Sequence, residues 1–302
     1  MSKIVVTGGA GFIGSQLAHR LIEQGNEVLV YDDLSTGIRS NVPKAAGFVK
    51  GSVCNFTMLR RELQGVDFVF HLAAFTSVPR SMNNPRLTEK INVGGTISVL
   101  AASLQQEVRK VLLASSCSVY GDIREPTQSE ESLLSPCSPY ALTKVSCEHW
   151  CKLYTEAYGL PTVVLRYFNV YGGSVLQSNY SLVIPKFIQQ ASMEEPITIF
   201  GDGEQTRDYV HIDDVVDATI LAINSDMLGV YNVGTGIGTS VNVLAECIKS
   251  SLDSDSPIVH VSPRPGDPEH ACADILKIVS MEWRPKRSLV EEIRKMCNAI
   301  QN

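Results

Sequence analysis

Apolar runs of strand length recur through the first two thirds of the chain: KIVVTG (3–8), EVLVYDD (27–33), DFVFHLAA (67–74), KVLLASS (110–116) and TVVLRYFN (162–169). They are β-branched and aliphatic, and continuous rather than alternating, as in strands buried on both faces. Between them apolar residues repeat at about 3.6 positions, the period of an amphipathic helix. Strand and helix in alternation predict an α/β fold with a doubly wound parallel sheet. From residue 172 the pattern loosens into loops rich in Gly, Pro and Asp (FGDGEQTRDYVHIDD, SPRPGDPEH), with helices at SLVIPKFIQQAS and SLVEEIRKMCNAI. The expected organisation is therefore a first domain over 1–171 and a smaller C-terminal part over 172–302, with some strands and helices exchanged between the two.

Composition narrows the class without changing the fold. At 302 residues, 44% hydrophobic and 19% charged, the chain can bury a large core. Its net charge of -6, with no Lys/Arg-rich tract, supplies no field for a polyanion, so no nucleic-acid partner is expected. The N-terminus runs almost directly into the first strand with no charged leader, and no apolar stretch is long enough for a bilayer, so no membrane association is expected. Eight scattered cysteines fit free thiols in a cytoplasmic protein. Cys147 and Cys151 share a helix face, but without further ligands nearby they read as packing, and no metal is expected.

The first strand leads straight into TGGAGFIGSQLAHRLIEQG, with Gly8, Gly11 and Gly14 three apart where strand becomes helix. Glycines there let the backbone approach a pyrophosphate, and the helix N-terminus offers N–H donors and a positive dipole end. An acidic residue, Asp32, ends the next strand, where it can accept from ribose hydroxyls and repel a 2'-phosphate. The pattern points to NAD rather than NADP. Ala10 stands where the second glycine of G-x-G-x-x-G would be.

Ten ordered segments carry a resemblance over essentially the whole chain: TGGAGFIGS, YDDLSTG, HLAA, INVGGT, SSCSVYGD, YALTK, LRYFNVYG, GDGEQTRDYVHIDDV, YNVGTG and RPGDPEHACAD. The chain resembles the extended short-chain dehydrogenase/reductases that act on nucleotide sugars, most closely the UDP-hexose 4-epimerases. The resemblance implies a Rossmann-like sheet and a cofactor site of Gly8, Gly11, Phe12, Ile13 and Gly14 from the first turn. Asp32, Asp33, Ser35, Thr36 and Gly37 would follow it. Ser52, Val53, Leu72, Ala73, Ala74, Asn92 and Tyr167 would complete the NAD site with Tyr140 and Lys144. Ser52 replaces the family's usual adenine-binding Asp, so looser NAD binding is expected.

The spacing of Tyr140 and Lys144 has a physical reason. A phenol with a solution pKa near 10 is too weak a base at neutral pH unless a cation favours the phenolate, and Lys144 lies one helical turn away. Ser116 occupies the position of the family serine that hydrogen-bonds the sugar 4-oxygen. Related dehydratases and decarboxylases place acids directly after that serine; here Cys117 and Ser118 follow. What remains is oxidation at carbon 4, turnover of the ketose and hydride return.

The same resemblance implies substrate contacts at Ser77, Ser116 and Tyr140, and at Asn169, Val183, Thr198, Phe200 and Arg207. It adds Arg264, Asp267 and Ala271. Guanidinium forks suit a pyrophosphate. Ala271 replaces a bulkier residue near the carbon-2 substituent, so UDP-GlcNAc/GalNAc is expected to fit as well as UDP-Glc/Gal. Alternative readings are a UDP-glucuronate 4-epimerase using Arg80, a dehydratase or decarboxylase, and an NAD-binding regulator, although regulators of this fold typically lose the Tyr/Lys pair. The helix over 138–158 carries more apolar surface than one domain needs, which predicts a homodimer.

Overall fold

The computed structural model describes residues 1–122, 125–173, 183–263 and 268–301. Thirteen strands are described among these residues. Six of them form the body of the main sheet: β1 (Lys3–Thr7), β2 (Glu27–Asp32), β3 (Gly47–Lys50), β4 (Phe68–His71), β5 (Lys110–Ser116) and β6 (Thr162–Tyr167). Further along the chain come β7 (Asn169–Tyr171), β8 (Ile197–Phe200), β9 (Thr206–His211) and β10 (Gly229–Val233), then β11 (Gly238–Ser240), β12 (Ile258–Val261) and β13 (His270–Ala271). The seven-stranded sheet has the order β10-β6-β5-β4-β1-β2-β3, and its registered pairs from β3 across to β6 are all parallel. This is a doubly wound α/β sheet of the Rossmann type, reversing strand order beside β1, where ligands of such sheets bind at the carboxyl ends of the strands. The five apolar runs became β1, β2, β4, β5 and β6. The edge strand β3 (GFVK) is half-exposed and lacks the continuous apolar signature.

Helices cover the sheet: α1 (Phe12–Glu23), α2 (Phe56–Glu62), α3 (Val78–Asn83), α4 (Pro85–Glu89), α5 (Gly95–Gln105) and α6 (Pro139–Tyr158). The chain between α4 and α5 is one π-helical turn, Lys90–Gly94. Start and stop of α6 are written locally. The Ser138 hydroxyl accepts from Ala141 N at 3.1 Å, Pro139 stands in the first turn, and Gly159 follows with φ 72° in the left-handed region. Later helices are α7 (Val183–Ser192), α8 (Ile212–Asn224), α9 (Val241–Leu252), α10 (Leu276–Val279) and α11 (Leu289–Gln301).

The chain divides into two units, one of residues 1–121, 134–167 and 216–231, the other of 122–133, 168–215 and 232–302. The core of the first includes Val5, Tyr31, Leu59, Leu63, Val69, Leu100, Val111, Leu113, Cys147, Cys151 and Val164. Cys147 and Cys151 are thus packing residues, and all eight cysteines are free thiols. The second unit packs Ile184, Phe187 and Ile188 of α7 with Leu244 and Ile248 of α9 and Ile293 of α11. Its small sheet has β7 and β13 parallel to β9, with β11 antiparallel to it.

Candidate active site

Four loops at the carboxyl ends of β1, β2, β4 and β5 hold most of the residues expected around a cofactor and the chemistry. After β1, Gly8 has φ +73°, and a Cβ there would stand 2.6 Å from Ala73 N. A Cβ on Gly14 would run into the Gly8 carbonyl and stand 2.8 Å from Gly9 Cα. Only bare backbone fits at Gly8 and Gly14, and Gly11 leads the turn into α1, whose first residues are Phe12 and Ile13. Ala10 is buried and donates its N–H to Asp32 Oδ2 at 3.0 Å. Leu34 N donates to Oδ1 at 2.8 Å. Burial pushes the Asp32 carboxyl up, opposed by these two bonds. Asp32 thus ties the glycine turn to the β2 loop, where Asp33 accepts from Ser35 N at 2.8 Å beside Thr36 and Gly37.

A nucleotide's ribose and pyrophosphate suit this arrangement: a glycine-rich turn, a helix N-terminus after it and a carboxylate at the strand end. At the next strand, Tyr31 OH donates to Ser52 O at 3.0 Å, and the Ser52 hydroxyl accepts from Cys54 N at 3.3 Å. Val53 beside it is buried.

After β4, Leu72, Ala73 and Ala74 are half-buried. Thr7 Oγ1 shares a hydrogen bond of 2.7 Å with His71 Nδ1, and His71 Nε2 one of 3.1 Å with Thr96 Oγ1. Burial, with Lys144 nearby, pushes the His71 imidazole down to about 3. Asn92 lies in the π-helical turn, and its side chain is fully engaged. Oδ1 accepts from Phe75 N at 2.7 Å, while Nδ2 donates to Phe75 O at 3.2 Å and to Thr143 Oγ1 at 2.9 Å. Thr143 in turn donates to Tyr140 O at 2.7 Å. Asn92 therefore fastens the β4 exit loop to α6 beside Tyr140, and Ser77 in that loop caps α3.

Ser116 ends β5, and its hydroxyl accepts from Ser118 N at 3.2 Å. Tyr140 and Lys144 are 9% and 4% exposed on one face of α6. Lys144 Nζ donates to Ala114 O at 2.8 Å and lies 5.9 Å from the centre of the Tyr140 ring. Burial pushes the Lys144 ammonium down, while Cys147, Glu148 and Cys151 act in the other direction. Tyr167 ends β6 with its hydroxyl 2.8 Å from Thr219 Oγ1. That bond occupies the hydroxyl in the core.

In the second unit, Arg207 and Ala271 are register partners in β9 and β13. Arg207 donates to Thr206 O at 2.8 Å. Asn169 reaches Asp208 O at 3.4 Å. Phe200 lies under Lys186, 5.6 Å from ring centre to Nζ, and Thr198 Oγ1 accepts from Gln190 at 3.4 Å. Val183 opens α7. Arg264 and Asp267 lie outside the described residues. Arg80 is exposed, 5.0 Å from the Phe75 ring centre. Among the described residues no group of three or more His, Cys, Asp or Glu could hold a metal ion, and no helix is long and apolar enough to cross a membrane.

Two buried charged networks lie outside the residues expected to bind cofactor or substrate. One is Asp208, fully buried and accepting four hydrogen bonds; the other is the Glu148–Arg166 ion pair. Each is completed by residues distant in sequence, and only Arg166 shows a local signal, a charge inside an apolar run.

The family model for the NAD dependent epimerase/dehydratase family matches residues 4–234. The chain belongs to this family. It is an extended short-chain dehydrogenase/reductase, an isomerase with NAD as cofactor. A putative UDP-glucose 4-epimerase of Methanocaldococcus jannaschii is 36% identical over 301 residues, covering 99% of this chain and 98% of that protein. Among solved structures, the UDP-glucose 4-epimerase of Thermotoga maritima with UDP-glucose is 37% identical with a TM-score of 0.94, covering 99% and 98% of the two chains. The UDP-N-acetylglucosamine 4-epimerase of Methanobrevibacter ruminantium M1, in complex with UDP-N-acetylmuramic acid, is 36% identical with a TM-score of 0.93 and the same coverage.

Proposed function

We propose that the chain is a UDP-hexose 4-epimerase acting on both UDP-Glc/UDP-Gal and UDP-GlcNAc/UDP-GalNAc. The observation that carries this reading is the Ser116, Tyr140 and Lys144 set followed by Cys117 and Ser118, neither of which is an acid. The relatives' names support the 4-epimerase class, and they include proteins named for each of the two sugars.

In this reading Tyr140, as phenolate, takes the proton of the sugar 4-hydroxyl, and Ser116 hydrogen-bonds the 4-oxygen as charge builds on it. Lys144 holds a positive charge close to the Tyr140 ring, anchored through Ala114 O. NAD held at the glycine turn and Asp32 would supply the two-electron chemistry, as acceptor and then donor of the carbon-4 hydride. The residues at 117 and 118 offer no carboxylate for a second step at carbon 5 or 6. Tyr140 returns the proton, so atoms and electrons balance with no net oxidation.

Arg207, Arg264, Asp267 and Asn169 hold the nucleotide end while the ketose turns over, and Ala271 leaves room for an acetamido group. On the same reading the enzyme is cytoplasmic and pairs as a homodimer through α6, where Leu142, Leu153 and Tyr158 are 58%, 43% and 56% exposed. Light scattering at micromolar concentration tests the dimer, and a monomer contradicts it.

The function is tested by NMR on purified protein given UDP-Glc, UDP-GlcNAc and UDP-GlcA separately, with and without added NAD. Epimers at carbon 4 of the first two are expected. Turnover of UDP-GlcA alone would transfer the reading to a glucuronate epimerase, a 4-keto-6-deoxy product to a dehydratase, and NAD retention with no product to a regulator.

A further inference from the structure

Behind the candidate catalytic face of α6 lies a buried charged network that the reaction as described does not use. Glu148 and Arg166 have side chains only 5% and 4% exposed. Arg166 Nη2 donates to Glu148 Oε2 at 2.7 Å and Nε donates to Oε1 at 3.0 Å, a two-pronged fork. Ser115 donates to Oε1 at 2.5 Å, and Arg166 Nη1 donates to Tyr120 OH at 2.9 Å.

The placement is specific. Glu148 is four residues after Lys144 and eight after Tyr140, hence on the same face of α6. Ser115 precedes Ser116 on β5 and is the register partner of Arg166 on β6. Tyr120 closes the short turn Cys117–Val119, where the Ser116 hydroxyl caps the Ser118 N–H. One ion pair therefore touches both flanks of the Ser116 turn and the helix that carries Tyr140 and Lys144. One turn earlier on α6, Lys144 is bonded to Ala114 O on the same strand.

A buried ion pair is a poor device for stability, because apolar side chains of similar volume commonly hold a core as well or better. What apolar packing does not supply is angular constraint. A forked pair with two further hydrogen bonds fixes how α6 is rotated and slid along β5, at the tolerance of a fraction of an ångström that reacting groups require.

We propose that Glu148 and Arg166 are positioning residues that set Tyr140 and Lys144 against Ser116 through Ser115, Tyr120 and the helix they brace. The inference rests on the reading of Ser116, Tyr140 and Lys144 as the reacting set. It also has an electrostatic side. The charged and titratable groups around Lys144 are Glu148, Cys147, Cys151 and Tyr140 on α6 and His71 on β4, with Arg166 of β6 and Tyr120 beyond Glu148. Removing the Glu148 charge makes this set one unit more positive, which favours phenolate and disfavours ammonium alike.

The test compares wild type with Ser115→Ala, Glu148→Gln and the double variant Glu148→Leu/Arg166→Met. Readouts are kcat and KM for a UDP-sugar that wild type turns over, the pH profile of kcat, and the denaturation midpoint. Ser115→Ala, the mildest change, should keep the fold and lower kcat by about tenfold with KM nearly unchanged. The double variant, which leaves no charge unpaired, should stay folded with kcat down about 10²-fold. Glu148→Gln should move both limbs of the pH profile to lower pH.

Folded Ser115→Ala and double variants with wild-type kcat and pH profile would overturn the inference while leaving the epimerase reading intact. Activity lost only in proportion to unfolded protein would do the same. Wild type without turnover on any sugar would sink the reading and the inference together.

Discussion

Asp208 offers a large effect that can be worked from the structure. The residue is 0% exposed, and its carboxylate accepts from Thr235 N at 2.8 Å and Thr235 Oγ1 at 2.6 Å on Oδ1, and from Gly236 N at 2.9 Å and Ala273 N at 3.1 Å on Oδ2. It gathers β9, the loop before β11 and the segment after Ala271 around one side chain. Asp208→Asn keeps one carbonyl oxygen, enough for two donors, and turns an NH2 toward the other two. Two stranded donors at about 1–3 kcal/mol each give a destabilisation of about 2–6 kcal/mol. Asp208→Ala strands all four and should cost at least as much. Each unit has one tryptophan, Trp150 on α6 and the buried Trp283. Trp150→Phe therefore leaves fluorescence that reports the second unit alone during urea denaturation. A loss below about 0.5 kcal/mol for Asp208→Asn, the scale of an ordinary surface change, would refute the assignment of this carboxylate as the unit's hydrogen-bonding hub.

Gly14→Ala should weaken NAD binding by at least about tenfold, or about 1.4 kcal/mol, because its Cβ meets the Gly8 carbonyl; calorimetric titration giving wild-type affinity would contradict the close approach. Ala271→Tyr should abolish turnover of UDP-GlcNAc and spare UDP-Glc, and equal loss of both would remove Ala271 as the gate. His71 is held neutral when folded, near 3 against an ordinary 6.5. The folded state thus binds this proton less well than the unfolded chain, and its stabilising contribution is full above about pH 6.5 and lost as pH falls toward 3, at up to about 1.4 kcal/mol per pH unit. Denaturation midpoints from pH 7 to 4 should fall less steeply in His71→Gln than in wild type; parallel slopes would contradict this.

The features legible in the sequence are those enforced locally. Continuous apolar runs gave β1, β2, β4, β5 and β6 because strands buried on both faces need no polar alternation. The caps of α6 at Ser138, Pro139 and Gly159 are read directly from residue type. Glycines at 8 and 14 are required by close backbone approach, and their spacing showed it.

What tertiary pairing decides was not legible. The edge strand β3 is half-exposed, and β10 joins the main sheet at β6 from far along the chain. Arg166 sits in an apolar run and Glu148 in a helix, and nothing in either segment says that the two charges neutralise each other in the core. Asn92 matched a cofactor motif, yet its π-helical turn and its bonds to Phe75 and Thr143 depend on the packing of α6.

The central claim is a round trip of hydride at carbon 4 within one active site. Its most direct test is UDP-glucose deuterated at carbon 4, incubated with enzyme and NAD in ordinary water and followed by NMR and mass spectrometry. The account predicts UDP-galactose retaining deuterium at carbon 4, with no solvent hydrogen incorporated there and no net reduced cofactor. Loss of the label to solvent, or its appearance in released cofactor with a keto-sugar product, would contradict it.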